Sequence, residues 1–154
     1  MSPLSLHLPG RPREFHHLVL DFTGTLSLDG ALTPGVGERL QALSKELTII
    51  VLTADTFGTA ERELGGLPVQ VQIIADGREK ARRVEALAGP GVIAVGNGRN
   101  DVPMMAVAGL GIAVLGPEGA AAELLTSARI VTRNILDALD LLSNPLRLKA
   151  TLRD

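Results

Sequence analysis

Four short stretches hold the residue types that can do chemistry. They are Asp21-Phe22-Thr23-Gly24-Thr25, Thr53-Ala54-Asp55, Arg78-Glu79-Lys80 and Gly96-Asn97-Gly98-Arg99-Asn100-Asp101. The first organises the rest. Leu18-Val19-Leu20 runs straight into Asp21, and a carboxylate set against a core needs a metal, a cation or backbone amides to hold it. Taken alone, Asp21 reads equally as a turn residue after a strand. Thr53 closes a second apolar run, Leu47–Leu52. Its hydroxyl either caps the next helix or meets an anion held at that helix's N-terminus. Lys80 is one of three lysines; on spacing alone a solvated helix face, shared with Arg82, Arg83 and Glu85, is its better reading. The last stretch places two glycines with Asn97, Asn100 and Asp101 at a strand's end, a turn suited to an ion or a phosphate. It lacks the third glycine of a dinucleotide fingerprint, and no Gly-Lys-Ser/Thr of a P-loop occurs.

These stretches need strands and helices to bring them together. Continuous Leu, Val and Ile runs bounded by turns predict buried parallel strands ending at Leu20 and Leu52 and spanning 91–95, 110–115 and 130–131. Val69–Ile74 alternates with glutamine and predicts a half-exposed strand. Helices are predicted at 35–45, opened by Pro34, then at 57–64, 78–88, around Met104–Val107, at 119–127 and at 134–142. Leu136, Leu139 and Leu142 mark the buried face of the last. Asp29-Gly30 between apolar residues predicts a small two-stranded flap over 26–33. Residues 1–15 read as an irregular or edge segment and 145–154 as a tail that packs back. The β-α alternation predicts an α/β fold, a three-layer, doubly wound, Rossmann-like parallel sheet in one domain over 1–154. Polar groups at strand carboxyl ends then share the edge where such sheets bind ligands.

Composition narrows the function classes. The 154 residues carry a formal charge of −2, so no electrostatic footprint for nucleic acid exists. Aromatics are 2% with no Trp or Tyr, which removes stacking platforms for single strands. Without cysteine there are no disulfides, thiol chemistry or Cys-ligated zinc. No apolar run is long enough to cross a bilayer, and the first residues do not resemble a secretory signal. A cytoplasmic, membrane-free protein is the expectation. His16-His17 without a second cluster reads as a surface or edge pair rather than a metal site.

Asp-x-x-Gly-Thr, a strand-terminal Thr, a later Lys and Gly-x-Gly-x-Asn-Asp, in that order over residues 16–143, resemble the four signature motifs of the haloacid dehalogenase-like (HAD) superfamily. Thr23 makes the first motif similar to the Asp-Lys-Thr-Gly-Thr of P-type ATPases. The whole resembles the small soluble proteins akin to those pumps' phosphorylation domain. The resemblance implies a Mg²⁺-dependent phosphohydrolase acting through an aspartyl phosphate on Asp21. It implies catalytic roles for Asp21, Thr23, Thr53 and Lys80, and phosphate contacts from Gly24, Thr53, Ala54, Lys80 and Asn100. Its metal ligands would be Asp21, the Thr23 carbonyl, Asn97 and Asp101. Residues 22–52 leave no room for a cap beyond the flap. An open site implies a macromolecular substrate or a homo-oligomer whose neighbour covers it, and the expected partner is a phosphorylated small molecule or phosphoprotein.

Two departures qualify that mechanism. Thr23 stands where most phosphatases of the superfamily carry the Asp that serves as general acid/base, a group typically worth about 10²–10⁴-fold. Asn97 replaces the usual first metal-binding Asp, so the site loses a negative charge and should hold Mg²⁺ less tightly. The alternative reading is a phospho-accepting or catalytically weak regulatory module of the same fold. A receiver domain is disfavoured, because the acidic pair usual before the first strand's Asp is missing.

Overall fold

The computed structural model describes residues 2–9 and 11–154. Six parallel strands form the central sheet: β3 (His17–Leu20), β6 (Thr48–Thr53), β7 (Val69–Ile73), β8 (Val92–Gly96), β9 (Leu110–Val114) and β10 (Ile130–Thr132), in the order β10-β9-β8-β3-β6-β7. The chain builds outward from β3 through β6 and β7. It then returns to the other side of β3 for β8, β9 and β10. The direction of winding therefore reverses between β3 and β8, and the crevice beyond their carboxyl ends is where such sheets receive ligands.

Side chains alternate across this sheet with period two, and each face meets its own core. Leu18, Leu20, Ile49, Val51, Ile93, Val95, Ile112 and Val114 pack on one side with α1 (Val36–Leu43) and α6 (Ile135–Ser143). Val19, Ile50, Leu52, Val92, Ala94 and Ala113 pack on the other with Val84 of α3 (Gly77–Ala86), Met104 and Met105 of α4 (Val102–Val107) and Leu124 of α5 (Ala122–Ser127). Both faces being apolar is what made these strands read as unbroken hydrophobic runs. This is the expected three-layer α/β architecture. The flap is present as β4 (Ser27–Leu28) paired antiparallel with β5 (Ala31–Leu32), and Asp29 and Gly30 at its tip both have positive φ.

Two local expectations are corrected, at the N-terminal segment and at the helix after β6. Residues 4–8 and 11–15 are not irregular: β1 (Leu4–Leu8) pairs antiparallel with β2 (Arg11–Phe15), and Leu4, Leu6, Leu8 and Phe15 are buried. The alternation Leu-Ser-Leu-His-Leu carried that signal, and the prolines masked it. Pro12 sits opposite His7 in a two-stranded ribbon, where a missing N–H is tolerated. The tail is a helix, α7 (Pro145–Leu152), with proline at its first position and Leu148 buried, and it packs on β1. The helix expected at 57–64 shortens to α2 (Ala60–Glu63). The Asp55 carboxylate accepts from the amides of Thr59 and Ala60, which holds residues 56–58 in a turn ahead of it.

Candidate active site

All four polar stretches converge at the carboxyl edge of the sheet. β3 delivers Asp21, whose amide donates to the Val95 carbonyl of neighbouring β8. One carboxylate oxygen, Oδ1, accepts from the Phe22 amide at 2.8 Å and from Lys80 Nζ at 3.1 Å. No protein donor reaches Oδ2 among the described residues. Asp21 is 6% exposed, Lys80 and Asp101 fully buried.

Lys80 reaches this point because α3 lies close to the loop after β8. Asp76 caps that helix by accepting from the Glu79 amide. At Gly77 a side chain is impossible: a Cβ there would lie 2.5 Å from the Asn100 carbonyl oxygen. The lysine one turn on then bridges Asp21 and Asp101, with Nζ 2.6 Å from Asp101 Oδ1. The solvated-face reading of Lys80 is overturned; its neighbours Arg82 and Glu85 keep that role.

Asp101 is satisfied on both oxygens. Oδ1 meets Lys80, and Oδ2 accepts from the amides of Asn97 and Gly98. It thereby folds the Gly-x-Gly loop around itself. Asn97 accepts from the Thr25 hydroxyl and donates to the Gly119 carbonyl. Gly24, at φ +75°, turns the backbone directly beneath the Asn97 side chain, so any Cβ would strike the amide. Thr53 does not cap α2. Its Oγ1 accepts from the Asp55 amide in a tight turn at the end of β6.

The pocket these residues enclose measures about 200 Å³ and is lined by Asp21, Thr23, Thr53, Ala54, Thr56, Asn97, Gly98, Asn100 and Glu118. It thus holds every residue expected there except Gly24, Lys80 and Asp101, which stand behind its wall. Thr56 and Glu118 were not anticipated. Thr56 is three residues beyond Thr53, within reach of motif-based reasoning. Glu118 comes from the loop after β9, which carries no polar cluster to flag it. A larger cavity of about 480 Å³ lies against the flap, but no titratable group lines it. His16 and His17 sit at the opposite, amino end of the sheet.

Burial, reinforced by the Asp101 carboxylate, pushes the Asp21 carboxyl up to about 7, against the pull of Lys80. Burial alone would lower Lys80; the carboxylates of Asp101 and Asp21 outweigh it and hold its ammonium above the ordinary lysine value. A raised carboxyl binds its proton more tightly folded than unfolded, so its contribution to stability declines as pH rises from about 3.8 to about 7. In metal-free buffer, Asp21→Asn should therefore gain in melting temperature on the wild type as pH rises through that window. The two should converge below it. A melting-temperature difference independent of pH would mean that Asp21 titrates normally.

The donor set fits a divalent cation. Among the described residues Asp21 Oδ2 has no protein partner, and a nearby cation would act against the upward shift of that carboxyl. Thr23 Oγ1 is buried with no hydrogen-bond partner among the described residues. Among the described residues no group of three His, Cys, Asp or Glu side chains gathers as a metal cage.

Residues 55–137 match the haloacid dehalogenase-like hydrolase family; Lys80 and the Asn97–Asp101 loop lie inside the match, while Asp21 and Thr53 precede it. An uncharacterized protein of Methanocaldococcus jannaschii is 54% identical over 63 residues, covering 41% of this chain and 68% of that protein. Among solved structures, 3-deoxy-D-manno-octulosonate 8-phosphate phosphatase of Moraxella catarrhalis, in complex with magnesium, phosphate and KDO, superposes with a TM-score of 0.71. It is 19% identical and covers 89% of this chain and 92% of its own. A zinc-transporting PIB-type ATPase superposes with a TM-score of 0.64 and 23% identity over 78% of this chain and 20% of the pump. At those identities the likeness is one of fold. The family match, together with a strand-end aspartate, a buried lysine and a Gly-x-Gly loop at one sheet edge, makes this chain a member of the haloacid dehalogenase-like hydrolases.

Proposed function

We propose that the protein is a phosphoric monoester hydrolase in which Asp21 is the nucleophile. The observation that carries this reading is the buried Asp21–Lys80–Asp101 chain at the sheet's switch point, with one Asp21 oxygen tied back and the other open to the pocket. The open oxygen attacks phosphorus, the bond to the leaving oxygen breaks, and an aspartyl phosphate forms. Water then attacks the same phosphorus and the carboxylate is released. Lys80 neutralises charge on the nucleophile and the phosphoryl group. Thr53, Ala54 and Asn100 line the pocket where phosphoryl oxygens would be held. This is catalysis by positioning and charge stabilisation.

The Asp21 carboxylate, the Thr23 backbone carbonyl and the Asn97 side-chain oxygen are the groups to hold Mg²⁺. A bound Mg²⁺ supplies charge neutralisation on the transferring phosphoryl group. Asp101, expected as a ligand, does not line the pocket, and its oxygens accept from Lys80 and the amides of Asn97 and Gly98; it acts instead as the positioning residue for Lys80 and the loop. The small pocket suits a phosphate group carried by a small molecule, as the KDO 8-phosphate phosphatases' names state for those proteins. Hydrolysis of p-nitrophenyl phosphate with and without Mg²⁺ tests the reading: metal-dependent turnover well above that of Asp101→Ala supports it.

Thr23 favours a second reading. Its buried hydroxyl cannot trade protons at neutral pH, so the aspartyl phosphate could form and persist in a regulatory role. Activity no better than Asp101→Ala, with stable phosphate on the protein, would select that one.

A further inference from the structure

We infer that Glu118 is the general base for hydrolysis of the phosphorylated Asp21, in place of the carboxylate that Thr23 does not supply. The inference rests on the proposed role of Asp21 and concerns the second half of that reaction.

Of the groups lining the pocket, only Asp21 and Glu118 can exchange protons readily. Asp21 is consumed as the nucleophile. Asp101 and Lys80 are fully buried and bonded to each other, and neither lines the pocket. Thr23 Oγ1 is buried with no hydrogen-bond partner among the described residues. Among the described residues this leaves Glu118 as the acceptor for a proton released by water.

Its placement is not that of a loose surface side chain. Glu118 Oε2 accepts from the Asp29 amide at 2.9 Å, at the flap tip. The other side of that tip is tied down as well, the Gly30 carbonyl accepting from the Thr59 hydroxyl. The flap tip therefore fixes the glutamate from above the pocket, while Oε1 has no protein partner among the described residues. The residue is solvent-exposed, as a group that must take a proton from water and release it to bulk should be.

The step balances without a further reactant. A water oxygen bonds to phosphorus as its proton passes to the Glu118 carboxylate. The phosphorus–oxygen bond to Asp21 breaks, and its electron pair returns to the Asp21 carboxylate. Inorganic phosphate leaves, and Glu118 gives the proton to solvent.

The test is single-turnover labelling of the full chain by radiolabelled acetyl phosphate with Mg²⁺, followed by a chase. Wild type, Glu118→Gln and Glu118→Ala are compared. Glutamine keeps an oxygen to accept from the Asp29 amide but cannot take the proton. Acetyl phosphate carries a good leaving group, so labelling does not depend on Glu118. The expectation is that both variants take up label at Asp21 and lose it about 10²-fold or more slowly than wild type. If Glu118→Gln loses label at the wild-type rate, the inference is overturned, and slow loss in Glu118→Ala alone would assign Glu118 only to the flap tether. Absence of label from all three proteins would overturn the Asp21 reading itself and this one with it. That outcome is distinct, because it appears before any chase.

Discussion

Asp21→Asn is expected to lower metal-dependent phosphatase turnover by on the order of 10⁴-fold or more while leaving a folded protein. The substitution keeps the shape of the side chain and an oxygen able to accept from the Phe22 amide and from Lys80. What it removes is the anionic oxygen facing the pocket, without which no covalent intermediate forms. Stability should not suffer. The carboxylate is nearly buried and its proton affinity is raised by burial and by Asp101, so a neutral amide relieves a cost the wild type carries. Loss of activity with unchanged or improved thermal stability is a signature of a residue kept for chemistry. Steady-state turnover and thermal melts on the same preparation read both. An active Asp21→Asn protein would remove the nucleophile from this account.

Lys80→Met should damage both properties. Lys80 is fully buried and bonds two carboxylates at 3.1 and 2.6 Å. Methionine fills much of the same volume but leaves Asp21 and Asp101 facing each other with no cation between them. Breaking a buried ion pair by removing one partner typically costs about 3–5 kcal/mol. Protonation of one carboxyl softens that cost, so the deficit should be smaller near pH 5 and larger near pH 8, values set about the Asp21 window. Turnover should fall by about 10²–10³-fold, the usual cost of one charge-stabilising donor. A melting temperature equal to wild type at alkaline pH would mean the ammonium does not hold the carboxylates in solution.

Much of this site was legible because the sheet is buried on both faces. Unbroken apolar runs located β3, β6 and β8, and parallel winding obliged Asp21, Thr53 and Asn97 to share one edge. Lys80 was ambiguous for a physical reason. Its neighbours on α3 are charged and solvated, and only the close approach permitted at Gly77 turns that one position inward. Asp101 was found, but its bonding was not. A carboxylate in a polar loop looks the same in sequence whether it faces a metal or its own backbone amides. Glu118 was invisible because nothing nearby is chemically distinctive; the flap and the loop after β9 meet only in three dimensions. The N-terminal hairpin was hidden by its prolines, although its alternation of leucines was readable.

In the proposed reaction a phosphoryl group lands on Asp21. An acyl phosphate is reduced by borohydride to an alcohol, which turns a phosphorylated aspartate into homoserine. The protein is mixed with acetyl phosphate and Mg²⁺, quenched, reduced, digested and mapped by mass spectrometry. Homoserine at position 21, dependent on Mg²⁺ and confined to that position, is the predicted result. Turnover of phosphate esters with aspartate intact at position 21 under every quench time, or homoserine at another position, would contradict it.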